Sequence, residues 1–189
     1  MSIATTRFVV IGAGGLGCPA LLGLRAAGAQ HVLVVDDDRV DASNLHRQVL
    51  YDLGDVGAAK AEVAAEKLAR AGIAAQAAVR RLVPADVPAF VAALAPDSLV
   101  LECTDAPASK FATNDACVAH GVPVVVAAAL ALVGHVVAVG TSGGCYRCVF
   151  EAPPPVELVP SCASAGVLGT AVGTTGWLQA MLAVQLAEG

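Results

Sequence analysis

Four glycines, Gly12, Gly14, Gly15 and Gly17, crowd into "GAGGLG" directly after an apolar run. Gly12, Gly14 and Gly17 keep the G-x-G-x-x-G spacing of a strand-to-helix turn whose bare backbone amides can approach a phosphate. The additional Gly15 lengthens the span over which backbone can come close to a ligand. Asp36 lies 19 residues past Gly17, where an acid can accept hydrogen bonds from a ribose. Any nucleotide with a ribose and phosphates satisfies this much, so the turn alone does not separate a nicotinamide cofactor from ATP.

The residues beyond the acid separate them better. "DDDRVDASNLHRQ" gathers Ser43, Asn44, Arg47 and Gln48 on irregular chain, and amides beside a guanidinium suit several phosphate oxygens. Lys60, opening a helix after "GDVGAA", adds a second cation. "LECTDA" ends a strand with Thr104 and Asp105, at the sheet edge where open α/β folds carry their chemistry. A carboxylate beside a triphosphate points to magnesium, with Asp105 as its ligand. Cys145 and Cys148 form C-x-x-C on an irregular loop, which is half of a structural zinc site. Cys18, Cys103 and Cys117 fall in expected helix or strand and read as packing residues.

The elements that must position these residues follow from apolar periodicity. Strands are expected at 7–11, 31–35, 75–79, 98–103, 122–126 and 133–139, and helices at 19–27, 58–71, 85–94 and 109–120, with one last helix near the end. Strand and helix alternate almost to residue 140. That alternation predicts one Rossmann-like α/β domain over 1–189, with an open, doubly wound and mainly parallel sheet. The 57% hydrophobic and 14% charged composition suits strands buried on both faces. Pro153–Pro155 make the loop after Cys148 extended and superficial.

Composition also excludes partners. A net charge of -5 with no Lys/Arg cluster argues against nucleic acid. There is no charged leader before an apolar core, so a cytoplasmic location is expected, with the six cysteines as thiols or ligands. The apolar stretch Gly121–Gly140 is interrupted by Pro123, Gly134 and His135, and reads as two buried strands joined by a turn, not a membrane span. In Ala163–Ala187 the spacing of Gly166, Gly169, Gly173 and Gly176 is compatible with a lipid-facing helix and equally with one at a ligand or dimer face.

In order and spacing, "GAGGLGCP", "DDDRVDASNLHRQ", "GDVGAAKAE", "CTDAPASKFATNDAC", "CYRC" and "VPSCASAGVLG" resemble the ThiF/MoeB-type adenylating enzymes. These are relatives of the ubiquitin-activating enzymes that act on sulfur carriers in thiamine, molybdopterin and related pathways. The resemblance runs from Arg7 to about Ala187. It implies that Gly14 and Gly15 lie against ATP, that Asp36 binds ribose, and that Asn44, Arg47 and Lys60 hold phosphates. It also implies magnesium on Asp105 and a reactive Cys162, whose place before a helical stretch would lower its pKa. The implied reaction is adenylation of the C-terminal glycine carboxylate of a ubiquitin-like carrier, with a sulfur donor protein downstream and a homodimer as the working form.

Some positions depart from the family's pattern. Only six residues precede Arg7, so the family's N-terminal helix and the arginine it supplies are expected to be missing. The second C-x-x-C of the zinc site is likewise not reached. Ala106 stands where asparagine is usual, and Lys110 where arginine is usual. Those departures keep open a non-catalytic homologue that binds nucleotide or carrier beside an active subunit. An NAD-dependent oxidoreductase would explain the glycine turn and Asp36 but would leave Arg47, Lys60 and Asp105 without a task.

Overall fold

The computed structural model describes residues 2–155 and 166–189. Its centre is a six-stranded sheet: β1 (Arg7–Ile11), β2 (His31–Val35), β3 (Ala74–Ala78), β4 (Ser98–Glu102), β5 (Val124–Leu130) and β6 (Val133–Val139), in the order β3-β2-β1-β4-β5-β6. The first five strands run parallel and β6 pairs antiparallel with β5. Around the sheet lie α1 (Gly17–Ala26), α2 (Lys60–Arg70), α3 (Val87–Ala92), α4 (Pro107–His120), α5 (Tyr146–Val149) and α6 (Gly169–Glu188).

The two-residue period of the strands builds both layers. Phe8, Val10, Val34, Leu99 and Leu101 face one core with Leu21, Leu68 and Ala183 from α1, α2 and α6. The alternating Val9, Ile11, Val35 and Val100 face a second core with Val87, Val91 and Phe111 from α3 and α4. The central strands β1, β2 and β4 are thus apolar on both sides, as a helix-covered parallel sheet requires. The crossover changes face between β3 and β4, so β1 has neighbours reached in opposite directions. That switch point opens a crevice beyond the carboxyl ends of β1, β2 and β4.

Most expected elements are present with shifted ends. The fifth strand starts later and runs to Leu130, because pairing with β6 continues to the turn at Leu130↔Val133. The apolar Gly121–Gly140 stretch is therefore mostly a hairpin, and among the described residues no helix is long and apolar enough to cross a membrane. The loop after β6 contains α5, a short helix that the sequence reading did not anticipate.

Gly176 on α6 and Gly23 on α1 serve packing within the chain. A Cβ on Gly176 would stand 2.5 Å from both Leu16 O and Pro19 Cγ, and one on Gly23 of α1 would stand 2.6 Å from Ala180 Cβ. Small residues let these two helices approach closely, which is the service such spacing renders here without a membrane.

Candidate functional site

The crevice encloses a cleft of about 360 Å³, and it gathers most of the residues singled out above. Gly12, Gly14 and Gly15 line it, together with Asp36, Asn44, Arg47, Lys60 and Asp105. The four glycines divide into separate tasks. Gly14 is the open one, since a Cβ there would meet nothing nearer than Gln48 Nε2 at 3.7 Å. Gly12 takes φ +93°, which favours glycine, at the point where the chain leaves β1 against the backbone of Cys103 and Thr104. Gly15 lies beneath α6, where a Cβ would stand 2.9 Å from Val172 Cγ1. Gly17 does not line the cleft. A Cβ on it would stand 2.0 Å from Gly12 O, so its part is to let α1 pack on the strand end and not to touch a ligand.

Asp36 closes β2 and grips the glycine turn. Its Oδ2 accepts from Ala13 N at 2.6 Å and its Oδ1 from Asp38 N at 2.8 Å. Burial pushes this carboxyl above its ordinary range against the pull of those two N–H groups. Each oxygen keeps further acceptor capacity, as a ribose ligand would need. Tyr51, which the sequence reading passed over, donates its buried hydroxyl to Ala13 O at 2.8 Å and so fixes the same turn from below.

The cations reach the cleft from two separate segments. The short turn Ala42–Asn44 begins at Asp41, whose carboxylate caps it through Ser43 N. Ser43 spends its hydroxyl on the same Asp41 Oδ1 at 2.5 Å and is not among the residues lining the cleft. An N-cap exchange thus engages the Ser43 side chain locally, apart from the residues that the cleft brings together. Arg47 does line the cleft. Its Nη2 donates to Asn44 Oδ1 at 2.5 Å, and its Nη1 lies 3.3 Å from His46 Nε2. Lys60 is almost wholly buried at the start of α2 and donates to Asp38 Oδ2 at 2.8 Å. Gln48, also buried, has an Oε1 without a partner among the described residues.

Asp105 stands at the cleft beyond β4, exposed, with no hydrogen bond or ion pair among the described residues. That is the donor magnesium requires, one free carboxylate facing a space for phosphates. Below it lies a charged pair that the sequence did not mark as a unit. Lys110 Nζ donates to Glu102 Oε2 at 2.7 Å, Thr104 O at 2.6 Å and Ala127 O at 2.6 Å. The signal for it was a lone acid closing the otherwise apolar strand "SLVLE". Arg80, Arg81 and Leu82 also line the cleft, carried there by β3 at the sheet edge. No motif pointed to them.

Cys145 and Cys148 cap α5 with their sulfurs 3.9 Å apart, and Cys145 N donates to Cys148 Sγ at 3.3 Å. Slight burial raises the Cys145 thiol, but N–H donors from Arg147, Asn114 and Cys148 outweigh it and hold the pKa below the ordinary range. The two sulfurs converge as two ligands would. Among the described residues, the only cluster of three metal-ligating side chains is Asp36, Asp37 and Asp38, so no third ligand joins them there. Cys162 lies outside the described residues.

The sequence matches the ThiF family along residues 1–189. The chain belongs to the ThiF family. It is similar to "Adenylyltransferase and sulfurtransferase UBA4" of Yarrowia lipolytica, with 41% identity over 192 residues, covering 100% of this chain and 48% of that protein. The protein of the same description from Emericella nidulans is 40% identical over 200 residues, covering 98% of this chain and 40% of the relative. The chain thus spans about half the length, or less, of these curated relatives. Among solved structures, E. coli MccB superposes with a TM-score of 0.82 at 20% identity, covering 98% of this chain and 57% of MccB. A structure of E. coli MccB with ATP gives 0.80 at 21% identity, covering 98% and 58%. At that identity the likeness concerns the ThiF fold: the six-stranded Rossmann-like sheet is shared.

Proposed function

We propose that this ThiF-family chain adenylates the C-terminal glycine carboxylate of a ubiquitin-like sulfur carrier with ATP, giving an acyl-adenylate and pyrophosphate ahead of sulfur transfer. The observation that carries the proposal is the convergence of the bare Gly14 backbone, Asp36, Arg47, Lys60 and Asp105, the last unpaired among the described residues, on one cleft. The relatives' description as adenylyltransferase and sulfurtransferase supports the same reading.

The reaction demands little proton chemistry. A terminal carboxylate has a reference pKa of roughly 3.5, so the nucleophile is already ionised near neutral pH. Asp36 anchors the ribose, and the glycine turn with the α1 N-terminus receives phosphate. Arg47, braced by Asn44 and His46, and Lys60, braced by Asp38, present fixed positive charge to the leaving pyrophosphate. Magnesium held by Asp105 would neutralise phosphate charge. Such preorganised contacts are each worth on the order of 3 kcal/mol of barrier.

The remaining parts of the proposal rest on less of the cleft. Cys162 is the thiol proposed to take up the activated carrier or its sulfur, with a sulfur donor protein supplying the latter. Cys145 and Cys148 are proposed as half of a zinc site. A homodimer is supported by exposed apolar side chains on the β5–β6 turn, Leu132 and Val133, and on α6, Trp177, Leu178 and Met181. The proposed place of action is the cytoplasm. Exchange of labelled pyrophosphate into ATP, run with Gly-Gly-ended carriers, tests the reading. Exchange that depends on carrier and disappears in Arg47→Ala and Asp105→Ala is the expected result; exchange that survives both substitutions refutes the site.

A further inference from the structure

Lys110 is buried beneath the cleft, and Glu102, its partner, is wholly buried. Nζ has three N–H groups, and all are used: on Glu102 Oε2, on Thr104 O and on Ala127 O. The other carboxylate oxygen, Glu102 Oε1, accepts from both the amide and the hydroxyl of Thr104. One ion pair therefore holds Thr104 at its amide, its carbonyl and its side chain. Thr104 is the residue directly before Asp105. Around the pair, Gln179 of α6 donates to the backbone oxygens of Glu102 at 3.0 Å and Val125 at 2.8 Å, and accepts from Cys103 Sγ at 3.2 Å. β4, β5, α4 and α6 thus lock together under the Thr104–Asp105 turn.

Stability is a poor reason for such a pair. Taking both charges out of water costs about as much as their attraction returns, and apolar replacements of similar volume are often neutral or stabilising. A rigid polar network at this place does something an apolar core would not: it dictates where a surface carboxylate stands. Asp105 itself has no partner among the described residues, so its position derives from the backbone that carries it. We propose that Lys110 and Glu102 are positioning residues that hold the Thr104–Asp105 turn in the geometry required for a magnesium–nucleotide complex. The inference rests on the adenylation reading for the identity of that ligand, but its test does not require turnover.

Removing Lys110 alone would strand the buried Glu102 charge and unsettle the fold, so the paired variant Lys110→Met/Glu102→Gln is the instrument. ATP affinity is measured by calorimetry with magnesium and with EDTA, for wild type, the paired variant, Asp105→Ala and their combination, with circular dichroism to confirm folding. Supporting contacts behind metal ligands are worth roughly 10–100-fold in metal affinity. The expected result is that magnesium tightens ATP binding to wild type, that the paired variant loses most of this gain, and that affinity in EDTA is unchanged. Combining it with Asp105→Ala should add no further loss, because both act through one carboxylate. Thr104→Val, which keeps the ion pair but removes its hydroxyl contact, should lose part of the gain and reads the same network if the paired variant fails to fold.

A paired variant with the full wild-type magnesium gain overturns the inference, as does a loss that adds to that of Asp105→Ala, or a wild-type chain indifferent to magnesium. Failure of pyrophosphate exchange alone refutes the adenylation reading and leaves this inference to the binding data.

Discussion

Arg47→Lys keeps the charge at the cleft and removes the fork, so it separates electrostatics from geometry. In the structure Nη2 is 2.5 Å from Asn44 Oδ1 and Nη1 3.3 Å from His46 Nε2, and the other guanidinium N–H groups remain to meet phosphate. A lysine braced at two points keeps only one N–H to present, and its compact ammonium on a flexible stem lacks the fixed fork that aims several donors at once. Loss of the whole contact in Arg47→Ala should raise the barrier by about 3 kcal/mol, on the order of a hundred-fold in rate. Each internal brace is worth roughly 1 kcal/mol. Arg47→Lys should therefore lose about ten- to thirty-fold, and Asn44→Ala, which removes one brace, about five-fold. The assay is pyrophosphate exchange at saturating ATP, magnesium and carrier. Asn44→Ala should add less to Arg47→Ala than it costs alone, since its Oδ1 acts through the guanidinium while only its amide N–H groups remain for phosphate. Arg47→Lys within about two-fold of wild type would refute the argument that the braced fork matters, and so would full additivity of the two alanine variants.

Three further outcomes follow from the same coordinates. Gly17→Ala must push backbone against backbone at Gly12 O, where its Cβ would stand 2.0 Å away, and should cost about 3 kcal/mol or more in urea unfolding. Gly28→Ala, at φ +91° with nothing within 4 Å, should cost only about 1 kcal/mol and serves as control. Iodoacetamide at mildly alkaline pH should label Cys145 well ahead of Cys18 and Cys117 by peptide mass mapping, because its thiolate is favoured, while burial raises the Cys18 and Cys117 thiols to about 12 and leaves them unlabelled in the folded chain. Trp177→Asp should shift sedimentation from dimer to monomer, since that half-exposed indole lies on the apolar surface of α6.

What could be read from the chain alone was local. Unbroken apolar runs in "RFVVI" and "HVLVV" announce strands buried on both faces, and the charged stripe of "KAEVAAEKLAR" announces a helix with one dry side. That the glycine turn, Asp36, Arg47, Lys60 and Asp105 line one cleft was legible because they sit where the chain leaves or enters such elements, where residue type is dictated by backbone approach or by charge. Ser43 stands apart from them for an equally local reason. An isolated hydroxyl near an arginine looks like a phosphate donor until a cap at Asp41 claims it.

Tertiary structure decided the rest, because its contacts join segments that no spacing rule connects. Tyr51 bonds Ala13 across 38 positions, Gln179 bonds Glu102 across 77, and Arg80 and Arg81 reach the cleft only because β3 lies beside β2 in the sheet. Gly176 of α6 likewise acquires its meaning from Leu16 and Pro19 at the start of α1, which the sequence places far away. Periodicity specifies which face of an element is buried; it carries no information about which distant element covers it. The buried Lys110–Glu102 pair shows the limit most clearly: an acid ending a strand and a lysine inside a helix are ordinary residues until parallel pairing of β4 with β5 closes the water out around them.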